Sequence, residues 1–216
     1  MLKRFTHRRE AGKELARRLS DLKGRNDLLV LALPRGGVPV AAEIASHLDA
    51  RLDVLVVRKL GMPGHPEFAM GAIASGGARL LHDRMIRRAG INRQQLEAVV
   101  EREQAELQRR EKAYRDDRPF PEVKDKTLLL VDDGLATGAS MRAAIEALRD
   151  SGAAKLIVAV PVAPPELHHV FEAITDRYVV ALEPPIFNAV GEWYVEFDQT
   201  SDGEVRQLLS ESVAEH

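Results

Sequence analysis

The chain of 216 residues has no cysteine, which excludes disulfides, thiolate metal centres and cysteine nucleophiles by absence alone. That fits a reducing cytoplasm, the expected location. No apolar run approaches the roughly 20 residues needed to cross a bilayer. The basic, helically patterned start MLKRFTHRREAGKELARRLS also lacks the apolar stretch and small-residue cleavage site of a secretory leader. Neither export nor a membrane span is expected. An excess of one charge is missing too: 31 Lys and Arg face 33 Asp and Glu, a formal net charge of -2. A surface built to coat nucleic acid is therefore not expected, and any phosphate ligand must be met locally. Aromatic residues make up only 5% of the chain, so a cluster of them is a local signal.

What is present is an ordinary globular composition, 45% hydrophobic and 30% charged. The length suits one α/β domain spanning 1–216. Apolar runs of strand length alternate with helical patterns, the order of a parallel sheet covered by helices. Strands are expected at Leu28 to Leu33, Leu52 to Val57, Thr127 to Val131, Lys155 to Val160 and Arg177 to Leu182, with helices near Val38 to Leu48, Ser140 to Arg149 and Pro165 to Ala173. Runs such as LLLV and LIVAV are apolar throughout, which implies burial on both faces.

Between the second and third of these strands lies a long excursion. RKLGMPGHPEF, rich in glycine and proline, reads as a flexible loop; GAIAS and ARLLH read as a hairpin across Gly76 and Gly77. A charged helix follows, about Arg93 to Tyr114, whose apolar stripe of Leu96, Val99, Val100 and Leu107 is broken by Glu103. Such a narrow face is expected on the outside or against another subunit, and a homo-oligomer is expected. PPIFNAVGEWYVEFDQ gathers aromatics, and SDGEVRQLLSES supplies a terminal helix.

The segment TLLLVDDGLATGASMRAAIEAL, Thr127 to Leu148, joins a buried strand, two acids, a small-residue loop and a helix. Where a strand feeds a helix through glycine, backbone amides converge on an anion and the positive helix end reinforces them. Ala136, Thr137, Gly138, Ala139 and Ser140 are the candidate phosphate ligands. Asp132 and Asp133 add acceptors for hydroxyls and tolerance of a nearby cation. Together these features point to a phosphorylated sugar. Taken singly, Asp-Asp-Gly is also a plain turn and Ser140 a plain helix cap. A Walker A loop would need lysine where Ala139 stands.

LLLVDDGLATGAS resembles the signature of type I phosphoribosyltransferases, which bind 5-phosphoribosyl 1-pyrophosphate (PRPP). The resemblance implies a parallel sheet flanked by helices, with a core at about 20–182, a flexible loop and inserted hairpin and helix at about 58–118, and a small C-terminal hood at about 183–200. Gly134 departs from the pattern by standing where the family usually has a β-branched residue. By the same resemblance LPRGGVPVAAEI is the pyrophosphate loop, with Arg35, Gly36, Gly37 and Val38 as ligands and a strained or cis peptide near Arg35. Arg58 and Lys59 are further pyrophosphate cations, ahead of a loop that closes over the reaction. Phe187 and Trp193 would stack on the acceptor, with Tyr194 and Phe197 beside them in the hood. Mg²⁺ is the implied cofactor, held at Asp132 and Asp133 directly or through water.

The implied chemistry is displacement of pyrophosphate from PRPP by a small nitrogenous acceptor, with Asp132, Asp133, Arg58 and Lys59 managing charge. His65 and Glu67 lie in the loop without fixed geometry. Two other readings use the same residues: a module that senses PRPP or a nucleotide and regulates a partner, and a phosphohydrolase working through the paired aspartates. The second needs more acidic ligands than this loop offers.

Overall fold

In a computed structural model, residues 4–116 and 118–214 are described. Five parallel strands form the central sheet: β1 (Leu28–Ala32), β2 (Arg51–Val54), β6 (Thr127–Val131), β7 (Lys155–Val162) and β8 (Arg177–Leu182), in the order β2-β1-β6-β7-β8. Alternation within the apolar strands divides the core. Val30, Ala32, Leu129 and Val131 face one side with Leu15 and Ile44, while Leu29, Leu31, Leu128 and Leu130 face the other with Met141, Ile145 and Phe171. Strands covered on both faces need no polar alternation, which is why they read as unbroken apolar runs.

The first face is covered by α1 (Arg8–Arg18), α2 (Gly37–Leu48) and α7 (Asp202–Ala214), the second by α5 (Ala139–Leu148) and α6 (His168–Glu172). A separate antiparallel sheet holds β3 (Val57–Met62), β4 (His65–Ala74) and β5 (Ala78–Leu81), followed by the short α3 (Asp83–Arg88) and the long α4 (Arg93–Arg115).

Two expectations need correction. The run Leu52 to Val57 is not one strand: β2 ends at Val54, the chain crosses between sheets at Leu55 and Val56, and Val57 opens β3. The crossover is held on both sides, since Leu55 N donates to Ala32 O at 2.9 Å and Ser75 N to Val56 O at 2.9 Å. The flexible loop is likewise a hairpin. β3 and β4 pair from Val57 and Ala74 to Met62 and His65, with register shifts around Gly61 that absorb the residues which read as loop formers. The second hairpin, Gly71 to Leu81 across Gly76 and Gly77, is present as the sequence suggests.

The narrow face of α4 lies on β3 and α7, where Val99, Leu107 and Tyr114 are buried. At its end Arg115 is buried and donates to Asp53 Oδ1 at 2.8 Å, Val54 O at 3.0 Å and Ser75 Oγ at 2.9 Å. One guanidinium thus joins α4 to both sheets. Among the described residues no helix is long and apolar enough to cross a membrane.

Candidate active site

The carboxyl ends of parallel strands carry the loops that face one crevice, the place where open α/β sheets bind ligands. Here β1 ends in the Pro34–Gly37 loop, β2 feeds Arg58 and Lys59, and β6 ends in Asp132 and Asp133. A cavity of about 460 Å³ opens among them, lined by Pro34, Val57, Arg58, Lys59, Asp132 and Ser140 together with Arg102, Glu103 and Arg110 of α4.

The acidic pair is built locally. Asp133 N donates to Asp132 Oδ1 at 2.8 Å, turning the chain out of the sheet. Burial, then the adjacent Asp133 charge, push the Asp132 carboxyl well above the usual range. Burial also raises Asp133, against the pull of Arg8, whose Nε donates to Asp133 Oδ2 at 2.9 Å. The Tyr194 hydroxyl donates to the Asp133 carbonyl at 2.6 Å. Its own pKa is raised by burial and by Asp133.

Glycine is required where the β1 loop meets these acids. A Cβ on Gly36 would stand 2.0 Å from Asp133 Oδ2, and one on Gly37 would stand 2.7 Å from Val131 O and 2.9 Å from Asp132 Cα. The peptide between Pro34 and Arg35 is cis. The Arg35 side chain reaches α7, with Nη1 3.6 Å from Asp202 Oδ1.

After Asp133 the chain passes Gly134 and Leu135 into the 136–140 loop. Gly138 is left-handed (φ 69°, ψ 8°) and caps the N-terminus of α5. A Cβ there would meet the Phe171 ring at 2.8 Å, so glycine is needed for space as well as for conformation. Ala136, Thr137 and Ser140 are exposed and Ala139 partly so, leaving the loop open to a ligand. Thr137 Oγ1 accepts from Ala139 N at 3.3 Å, and Arg142 Nη2 donates to Thr137 O at 3.3 Å from one turn into α5.

Gly134 has a specific neighbour: a Cβ would lie 2.6 Å from Val190 Cγ1 and 3.0 Å from Val162 Cγ1. The hood segment packs directly on this residue, so the β-branched side chain usual there would have no space.

Of the cations expected to meet pyrophosphate, Lys59 is exposed in the cavity wall, and its ammonium has no hydrogen bond or ion pair among the described residues. Arg58 is engaged by Glu103 Oε2, at 2.9 Å from Nε and 2.6 Å from Nη2. Glu103 is 8% exposed, and its other oxygen accepts from Arg102 Nε at 3.1 Å. The residue that interrupts the apolar stripe of α4 therefore orders two guanidinium groups beside the cavity. Arg102 and Arg110 were not legible as site residues, because surface arginines on a charged helix carry no local signal.

The expected aromatic platform is revised. Trp193 is 8% exposed and buried in the hood, so it offers no open face for stacking. Phe187 is partly exposed but does not line the cavity. Phe197 instead lies under Arg8, whose guanidinium carbon is 4.0 Å from its ring centroid. His65 and Glu67 pair at 3.4 Å on the exposed hairpin tip and do not line the cavity. Arg8 was missed for a simple reason: its partner lies 125 residues away along the chain.

Residues 2–178 match the family model of the phosphoribosyl transferase domain. The chain belongs to that family. Among curated relatives of this phosphoribosyl transferase domain is a Mycobacterium tuberculosis H37Rv protein named provisionally as a phosphoribosyl transferase, 44% identical over 208 residues. The match covers 96% of this chain and 47% of the relative, so the chain spans about half the length of the curated relative it matches. The crystal structure of TT1426 from Thermus thermophilus superposes on the domain with a TM-score of 0.86 at 42% identity, over 96% of this chain and 98% of that one. The Aquifex aeolicus protein AQ2163 shares the fold at a TM-score of 0.51 and 13% identity, over 85% of this chain and 78% of that one.

Proposed function

We propose that the protein binds PRPP with Mg²⁺ and transfers its 5-phosphoribosyl group to a nitrogen of a small acceptor, releasing pyrophosphate. The observation that carries this reading is the joint placement of an acidic pair and an open, left-handed-capped loop at the end of β6, against glycines of the β1 loop that approach the acids closely. A phosphate on the 136–140 amides and a ribose on the aspartates fit one small ligand, and the N-terminus of α5 favours the anion. The pyrophosphate would extend toward Lys59 and Arg58, with Arg102 and Arg110 behind them.

Among the described residues no group of three or more His, Cys, Asp or Glu could hold a metal. The adjacent carboxylates Asp132 and Asp133 suit magnesium, which keeps several waters and is commonly bound by substrate phosphates plus one or two carboxylates. Asp132 or Asp133 would meet it, directly or through water. When bound, the ion supplies charge neutralisation to the departing pyrophosphate.

The nitrogen lone pair forms the new bond to the anomeric carbon while the carbon–oxygen bond to pyrophosphate breaks, its electron pair leaving with the oxygen. Positive charge developing on the ribose faces the two acids, and negative charge on the leaving group faces the arginines and Lys59. A proton lost by the acceptor nitrogen would pass to one of the aspartates.

Calorimetric titration of PRPP, with and without Mg²⁺, tests the reading against a variant carrying Asp132→Asn and Asp133→Asn. Saturable Mg²⁺-dependent binding, weakened about tenfold or more in the variant, supports it. A panel of nitrogenous acceptors is then screened for pyrophosphate release. Folded wild-type protein that takes up no PRPP at millimolar concentration overturns it.

A further inference from the structure

We propose that Arg8, on the first helix, is a positioning residue that couples the hood to the acidic pair, so that the carboxylate facing the ribose and the cover over the acceptor respond as one unit. The inference rests on the PRPP reading above and adds to it a residue from outside every loop of the cleft.

Arg8 is engaged in three directions. Its Nε donates to Asp133 Oδ2 at 2.9 Å, its Nη1 donates to Asp198 O at 2.7 Å, and its guanidinium lies 4.0 Å from the Phe197 ring centroid. The side chain is 12% exposed. Asp133 is gripped from the hood a second time, because Tyr194 donates to its carbonyl at 2.6 Å and stacks on Phe197 with ring centroids 5.0 Å apart.

The helix that carries Arg8 is itself fastened to the hood. Phe5 N donates to Trp193 O at 2.9 Å, Val195 N to Phe5 O at 2.9 Å and Glu196 N to Thr6 O at 2.8 Å. His7 caps the helix, accepting from Glu10 N at 3.2 Å. Residues 5–8 and 193–198 therefore form one layer over the acids.

A flat guanidinium can give one edge to a carboxylate, another N–H to a carbonyl and its face to a ring, whereas a lysine ammonium is a point charge without that fork. When ribose hydroxyls draw on Asp133, the change in its hydrogen bonds is felt directly at Asp198 and Phe197. The sole tryptophan of the chain, Trp193, lies in the same layer and reports on it.

The test follows Mg-PRPP binding by calorimetry and by Trp193 emission in wild type, Arg8→Gln and Arg8→Lys. Wild type is expected to bind with a change in emission. Arg8→Gln should bind about tenfold more weakly with the emission change lost. Arg8→Lys should recover part of the affinity but not the emission change, a split that a merely structural role would not produce. Binding within twofold of wild type in Arg8→Gln, or the wild-type emission change retained in either variant, overturns the coupling. Should Arg8→Gln fail to fold, the emission of Arg8→Lys decides alone. Wild-type protein that does not bind Mg-PRPP sinks the PRPP reading and the coupling with it, while normal wild-type binding with unaffected variants sinks only the coupling.

Discussion

At the residue scale the site is shaped by side chains that are missing. Gly36 lets the β1 loop reach Asp133, and Gly134 leaves room for Val190 of the hood and Val162 of β7. Gly134→Val, which would restore the β-branched residue common in the family, inserts a side chain where a single Cβ already sits 2.6 Å from Val190. Overpacking of this kind costs about 1–3 kcal/mol. The expected result is a lower melting temperature with altered Trp193 fluorescence, since Val190 and Trp193 share one helical turn. An unchanged melting curve and spectrum would show that the hood does not rest on position 134. The acids, the 136–140 loop and the paired glycines were legible because each lies within a few residues of an apolar strand and repeats a known pattern. Arg8 and Glu103 were not. Their meaning comes from partners 125 and 45 residues away, and in sequence one is a basic residue on an N-terminal helix and the other a break in an apolar stripe.

At the scale of elements, strands and helices with both neighbours local were readable, whereas the crossover at Leu55–Val56 was not. A continuous apolar run does not say where a chain leaves one sheet for another, because both ends are equally buried. The β3–β4 hairpin was hidden for the opposite reason: Gly61, Pro63, Gly64 and Pro66 are poor strand formers that a bulged, twisted ribbon accommodates. One contact between elements has a pH signature. His168 on α6 pairs with Glu183, just after β8, at 2.7 Å, with Glu172 at 3.2 Å and the edge of the Tyr178 ring beside it. The Glu183 hydrogen bond is the largest cause holding the histidine pKa above its ordinary 6.5. A folded-state pKa that is raised gives stability fully present below about 6.5 and lost as the pH climbs through the folded value. Glu183→Gln should therefore lower the melting temperature by about 1–3 °C at pH 5.5 and leave it unchanged at pH 9. A shift of equal size at both values would assign the effect to packing instead.

For the molecule as a whole, stability is distributed unevenly. β1 and β6 are buried at every residue and lie inside the sheet, while β4 begins with four exposed residues at the tip of its hairpin. Amide exchange by mass spectrometry should find the slowest protons in β1, β6 and β7 and much faster ones across residues 61–69. Uniform protection across both sheets would mean that the hairpin is as firmly held as the core. The fold class was legible at this scale because a doubly covered parallel sheet leaves its apolar runs in plain view. The layer over the acids was not, because it closes between residues 8 and 198, 190 positions apart, and nothing in a local window announces such a pairing.

That closure has a consequence for synthesis. On a ribosome the segment around Phe5 and Arg8 emerges long before its partners at 193–198. Until residues 193–198 clear the exit tunnel, the 136–140 loop and the acids can form without their cover, and the segment around Phe5 and Arg8 stays unmatched. Contacts between such distant positions are slow to form. The cleft is therefore finished only once residue 198 is available, and a chain stalled before residue 193 would hold the 136–140 loop but not the layer that covers the acids.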